Sequence, residues 1–349
     1  MNIPDRQQAM VMSAPGMPVS SELRSLEAPG PGQVLVRVRA SSLNFHDNLN
    51  VMGYMPAGPW PRVPMSDGAG EIVASGEGVG SLRVGDRVMG AFYSGWFDGR
   101  PTPEAKQELP GDSEDGWLQQ YRVTDATKLV CIPDHLTYQE AATIPCAGVT
   151  AWSALKEANV GKGDVVVTLG TGGVSLFVVQ FASALGATVI LTSSSDEKLK
   201  VGSDLGATHL INYRTTTDWE AQVKRLTSGR GADAVVDLGG PSTLPQSVLA
   251  AGAGGTVVAV SGVIRSDSPT SMQEVMVNNL PLGEILVNNL RIVAVTVGSV
   301  RAHRELSEFV ADTGIKPHIS HVFDWENLDK ALEMMRAGEH VGKIVLTIP

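Results

Sequence analysis

Val165-Val166-Val167-Thr168-Leu169-Gly170-Thr171-Gly172-Gly173-Val174-Ser175 begins as a β-branched run, breaks into glycines and resumes as an apolar helix. A chain leaving a buried parallel strand must turn tightly to bring its backbone against a pyrophosphate, and only residues without a Cβ permit that approach. The helix that follows offers unpaired N–H groups to the anion. The stretch therefore predicts a dinucleotide cofactor, held at Gly170, Thr171, Gly172, Gly173 and Val174. Ser175 stands where the G-x-G-x-x-G pattern has its third glycine.

The flanking sequence repeats this alternation of strand and helix. Residues 175–185 are apolar on most faces and Gly186 follows them, as expected for a helix packed between layers and closed by a glycine cap. Residues 188–192, 208–213, 234–237, 256–260 and 290–295 read as further short apolar strands, with helices over 198–205 and 219–227. Such a series predicts an α/β fold built on a doubly wound parallel sheet covered on both faces.

Residues 1–147 read differently. Residues 33–40 and 70–74 are β-rich pieces that alternate or stop at glycines, and 78–88 are dense in turn residues, as at a hairpin or barrel corner. They predict a second, β-rich, partly barrel-like domain. Residues 94–116 are polar, acidic and rich in Pro and Gly, which predicts an exposed loop near a substrate cleft. Helices over 303–312 and 326–336 precede a closing strand over 343–348.

A chain of 349 residues exceeds one ordinary core, so two domains are expected. A net charge of −10 argues against nucleic acid or an anionic membrane as partner. No apolar run is long enough to span a bilayer and the N-terminus carries no charged-then-apolar signal, so a cytoplasmic location is expected. Cys131 and Cys146 are the two cysteines, which suits a reducing compartment and excludes a four-cysteine zinc site.

Four motifs in this order resemble the medium-chain dehydrogenase/reductase superfamily along essentially the whole chain. Asn44-Phe45-His46-Asp47 resembles the N-x-x-D opening of its zinc-free quinone reductase branch, and Asp67-Gly68-Ala69-Gly70 with Gly85-Asp86-Arg87-Val88 resembles its D/E-G-A-G…G-D-x-V signature. Ala147-Gly148-Val149-Thr150-Ala151-Trp152 and the glycine turn complete the set. The resemblance implies a GroES-like catalytic domain of residues 1–147 and 298–349 around a Rossmann domain of residues 148–297, assembled as a homodimer or homotetramer. It also implies cofactor contacts at Asn44, Thr150, Gly262, Val297 and Lys343.

The positions matching the catalytic zinc ligands of this superfamily are Asn44, Ser66 and Cys146, and an amide, a hydroxyl and one thiol make a poor zinc site. No zinc is expected. NAD-using members place an acidic residue after the second Rossmann strand, where it would repel a 2′-phosphate. Here Ser193 takes that position, followed by Ser194 and Ser195, and the resemblance assigns Lys198 and Tyr213 to a 2′-phosphate. NADP(H) is expected over NAD(H). Serines also cap helices well, and Asp196 or Glu197 remain alternatives as ribose acceptors.

Without a metal Lewis acid, acceptors that are already activated suit the site: a quinone or an α,β-unsaturated carbonyl, reduced by hydride with hydrogen-bond donors on the developing oxyanion. Asn44, His46, Tyr54 and Ser66 are the candidates for those contacts, each with an ordinary structural role as its alternative. Trp60, Met65, Phe92, Tyr93, Trp96 and Phe97 are candidates to line an apolar slot, or to pack core and loop. Two further functions stay open: a metal-free alcohol dehydrogenase, and a non-catalytic, crystallin-like NADPH-binding protein.

Overall fold

The computed structural model describes residues 3–54, 58–260 and 276–349. The chain divides into two compact units, Met1–Val149 with Val297–Pro349, and Thr150–Thr296.

The second unit holds a six-stranded, all-parallel sheet in the order His209–Asn212, Thr188–Ser193, Val165–Leu169, Ala232–Asp237, Ala251–Ala259, Arg291–Ala294. The first of these strands in sequence lies in the middle, so the winding direction reverses between Val165–Leu169 and Ala232–Asp237. At such a point the crossovers depart to opposite sides and leave a crevice beyond the carboxyl ends of the strands. All five residues of Val165–Leu169 are buried, which is why the strand reads as a continuous apolar run. The helix Gly173–Ala184 buries Leu176, Phe177, Val178, Val179 and Phe181.

Two helices of this unit, Leu244–Ala250 and Leu282–Val287, escape the sequence reading. Pro245 opens the first of them, where a missing N–H costs nothing, yet in sequence it reads as a breaker. The strand Ala251–Ala259 starts five residues before its β-branched part, because Ala251 pairs with Ala232 across a register shift. Gly262 falls outside the described residues.

In the first unit the strands run Ile319–Asp324, Lys343–Thr347, Gln33–Ser42, Asp67–Ser75, Arg87–Gly90, Leu129–Cys131, with Tyr121–Asp125 also paired to Gln33–Ser42. Among the described residues this sheet is open rather than a closed barrel. Its core gathers Val34, Val36, Val38, Ile72, Trp117 and Leu346. The C-terminal strand Lys343–Thr347 lies beside Gln33–Ser42 and so brings the end of the chain next to the N-x-x-D motif.

Residues 94–116 are not exposed throughout, contrary to the sequence reading. Leu109, Pro110 and Gly111 are buried, and the acidic residues meet basic partners: Glu108 lies 2.7 Å from Lys128, Glu114 3.1 Å from Arg122 and Asp115 2.8 Å from Arg24. Arg122 is itself buried, and a buried cation is tolerated only with such a counter-charge. No helix of the described residues is long and apolar enough to cross a membrane.

Candidate active site

The glycine turn has the form of an anion cradle. Gly170 has φ +78°, a conformation that costs a residue with a Cβ about 1–2 kcal/mol. Gly172 is the N-cap of Gly173–Ala184 and supplies no side-chain cap, while a Cβ built on it meets nothing within 4 Å. Space is thus open beside a helix end whose first N–H groups have no intrahelical partner. The absence of a third glycine also finds its reason, since Ser175 turns its hydroxyl back to donate to Leu169 O at 2.7 Å and ties the helix to the strand end. Thr171 is buried, and Val174 is half-buried in the first turn.

At the end of the next strand Ser193 is buried, Ser194 and Lys198 are half-buried and Tyr213 is exposed. Tyr213 N–H donates to Ser193 O at 3.0 Å, which draws these positions together. Ser195 is the N-cap of Asp196–Asp204, its Oγ accepting from Lys198 N at 3.4 Å. Capping therefore explains one of the three serines. Asp196 is engaged elsewhere, accepting from Asn212 Nδ2 at 2.8 Å.

In the first unit Asn44, Asp47, Ser66, Asp67 and Lys343 form one buried polar cluster. Asp47 is the keystone: Oδ2 accepts from Asn44 N and Oδ1 from Ser66 N, both at 2.8 Å, so one carboxylate pins the start of the helix Phe45–Val51 to the residue preceding Asp67–Ser75. The Asn44 side chain caps this helix and reaches across the cluster. Its Nδ2 donates to Ser66 Oγ at 3.1 Å, and its Oδ1 accepts from Lys343 Nζ at 2.5 Å. Lys343 also donates to Leu43 O at 2.6 Å and stands 3.8 Å from Asp67 Oδ2.

Asp67 is fully buried, with Asn44, Cys146 and Lys343 about its carboxyl group. Burial raises its pKa to about 7, with Lys343 opposing the rise. The Cys146 thiol sits in the π-helical turn Ile144–Gly148, and burial, reinforced by Asp67, pushes it well above the ordinary thiol range. Among the described residues no group of three or more His, Cys, Asp and Glu is placed to hold a metal ion.

A second chain of polar contacts starts at His46. Its Nε2 is buried without a hydrogen-bond partner and faces Asp112 Oδ2 at 3.6 Å. The guanidinium of Arg62, 0% exposed, lies 3.3 Å from Asp112 Oδ1, donates to Asn50 Oδ1 at 2.5 Å and stacks 3.9 Å over the Trp60 ring. Arg62 also donates to Asp112 O, and Asn50 Nδ2 to Gly111 O. Burial raises the Asp112 pKa, opposed by His46 and Arg62 and aided by Asp47. Phe92 meets the His46 ring edge-on at 5.6 Å, and the row continues to Tyr93 at 4.9 Å and Trp96 at 6.3 Å.

Of the remaining expected site residues, Tyr54 is 48% exposed just beyond the helix Phe45–Val51, and Thr150 is buried in Val149–Glu157. Met65 and Phe92 are buried, whereas Phe97 is 47% exposed. Val297 has φ +98°, an outlier for a β-branched residue, and Met65, beside Ser66, has φ +80°. Arg62, Asn50 and Asp112 escape the sequence reading. The available signal was weak: an arginine between prolines and an aspartate in an acidic loop read as surface.

Two family models match the chain: "Alcohol dehydrogenase GroES-like domain" over residues 30–134 and "Zinc-binding dehydrogenase" over residues 173–312. A zinc-type alcohol dehydrogenase-like protein of Schizosaccharomyces pombe is 41% identical, covering 91% of both chains. Among solved structures, an alcohol dehydrogenase candidate from Sinorhizobium meliloti 1021 superposes with a TM-score of 0.91 at 34% identity, over 99% of this chain and 100% of that one. An NAD-dependent alcohol dehydrogenase gives 0.86 at 30% identity, over 98% and 100%.

Proposed function

The chain belongs to the medium-chain dehydrogenase/reductase superfamily and is an oxidoreductase, and from that premise we propose that it transfers hydride from NADPH to a quinone or an α,β-unsaturated carbonyl without catalytic zinc. The observation that carries this reading is the cluster around Asn44. Tetrahedral zinc takes thiolate, imidazole or carboxylate ligands. The three positions matching its ligands offer an amide whose oxygen is already taken by an ammonium, a buried hydroxyl and a single thiol. That donor set does not fit the metal. Polarisation of the acceptor then falls to hydrogen bonds, which suffices for substrates whose oxyanion is delocalised.

A dinucleotide is supported by the open cradle at Gly172, and NADP(H) by Ser193 in place of an acidic residue and by the pairing of Asp196 with Asn212. Lys198 and Tyr213 would hold the 2′-phosphate, and Gly170 to Val174 the pyrophosphate. The nicotinamide supplies hydride when bound. Lys343 acts on Asn44, fixing the carboxamide, while His46 serves the substrate oxygen. The exposed edge strand Arg291–Ala294, with Leu282, Leu286 and Val287 exposed nearby in sequence, supports a homodimer. A second reading, oxidation of a secondary or aromatic alcohol with NADP⁺, is supported by the names of the relatives above.

The test is anaerobic stopped-flow absorbance on metal-analysed protein, with NADPH or NADH at equal concentration and a benzoquinone, a naphthoquinone and 2-cyclohexen-1-one as acceptors. Rapid NADPH loss in zinc-free protein is expected. Turnover only with NADH, only with bound zinc, or only of alcohols would overturn the corresponding part of the reading.

A further inference from the structure

We propose that Asp112 is a positioning residue that acts through His46, holding the imidazole by Nε2 so that Nδ1 presents a proton to the oxygen of the bound acceptor. This rests on the reading above that His46 serves the substrate oxygen, and assigns the means by which it does so.

Several observations converge on the pair. Nε2 is a buried ring nitrogen without a hydrogen-bond partner, and the atom it faces is a carboxylate oxygen at 3.6 Å. Catalytic hydrogen bonds are commonly long in unliganded proteins and close in the working complex. The ring is also fixed laterally, because Phe92 meets it edge-on. Asp112 is held from behind by the buried Arg62 guanidinium, which is in turn fixed by Asn50 and stacked on Trp60. The charged groups around the pair are Arg62 and Asp47, the latter from the helix of His46 itself. A carboxylate that accepts from one ring nitrogen sets the tautomer and orientation of an imidazole and stabilises its cation.

The loop 94–116 thus acquires a purpose. Its buried end, rather than its exposed part, delivers Asp112 to a motif 66 positions earlier in the chain. In the reaction the β-carbon of an enone would receive hydride from the bound NADPH, the alkene π pair would become the C=C of an enolate and the carbonyl π pair would move to oxygen. That oxygen takes the proton from Nδ1 of the His46 imidazolium, leaving neutral imidazole, which regains a proton from solvent. Asp112 changes neither its covalent bonds nor its charge.

A double-mutant cycle with NADPH and 2-cyclohexen-1-one tests the assignment. His46→Gln should lower kcat on the order of a hundredfold with KM little changed. Asp112→Asn should lower kcat about tenfold at unchanged KM for NADPH, Asp112→Glu should recover most of it, and Asp112→Asn should cost less than twofold in the His46→Gln background. An equal loss in both backgrounds, or none in either, would overturn the proposal. An unchanged kcat in His46→Gln would instead refute the reading on which it rests. Independently of turnover, proton spectra of the apoprotein labelled with ¹⁵N-histidine should show an exchange-protected ring N–H that disappears in His46→Gln and in Asp112→Asn. Its absence from the wild-type protein would overturn the proposal even if the Asp112 variants failed to fold.

Discussion

The proposed sites of the two units are built by opposite strategies. In Thr150–Thr296 the proposed pyrophosphate site is one local segment, a strand end, three turn residues and a helix start, and its donors are backbone N–H groups. In the other unit the polar cluster is assembled from side chains distant in sequence, with Lys343 meeting Asn44 across 299 positions and Ser66 meeting Asn44 across 22. A backbone site tolerates wide change in side chains provided the turn keeps its shape. A side-chain site fails when any member of the network is lost, because the partner left behind is a buried polar group.

That contrast can be broken most directly at Asp47. Asp47→Ala orphans two buried N–H groups at once, and should cost about 3 kcal/mol or more in urea unfolding, from two hydrogen bonds to a charged group. A loss below about 1 kcal/mol would mean that the cluster is not held together as described.

The next largest effect is pH-dependent and belongs to Asp67. Its folded pKa is raised to about 7, above the ordinary value of 3.8, so between these limits the folded state binds a proton that the unfolded state has released. Stability from this group is therefore full at low pH, falls as pH rises from about 4 to about 7, and is level above that. Asp67→Asn removes the dependence. Relative to wild type it should gain on the order of 2 kcal/mol between pH 5 and pH 8 in matched unfolding curves. A constant difference across that range would contradict the raised pKa.

On the other side, Gly172→Ala separates binding from stability. The added methyl meets nothing in the protein, so unfolding should stay within about 0.5 kcal/mol of wild type. A methyl in the cradle should nevertheless weaken NADPH binding about tenfold by fluorescence titration, or about 1.4 kcal/mol. Undiminished affinity would remove Gly172 from the site. The smallest effect is expected for Ser175→Gly, which deletes the bond to Leu169 O and restores the third glycine. About 1 kcal/mol of stability should be lost with NADPH affinity unchanged, and a marked fall in affinity would show that the hydroxyl serves the cofactor instead.

Much of the parallel sheet was legible because its inner strands Val165–Leu169, Thr188–Ser193 and Ala232–Asp237 are buried on both faces and carry their own β-branched residues. The exceptions are instructive: Leu244–Ala250 carries a proline as its second residue, and Ala251–Ala259 begins among glycines, so neither start has a clear local signature. The loop 94–116 was misread for a related reason, as its acidic residues look solvated until Arg122, Lys128 and Arg62 are brought beneath them.

By itself the sequence determined the two-part organisation, the glycine turn, the superfamily and the poverty of the zinc ligand set. Each is carried by residue types within short motifs, whose order and content the chain records directly. Only the tertiary structure decided that Lys343 holds Asn44, that Asp47 clasps Ser66, and that Asp112 faces His46. Those contacts arise where the closing strand packs beside Gln33–Ser42 and where a loop end folds inward. The energy that selects them is the cost of burying a charge alone, which no local pattern in the chain expresses.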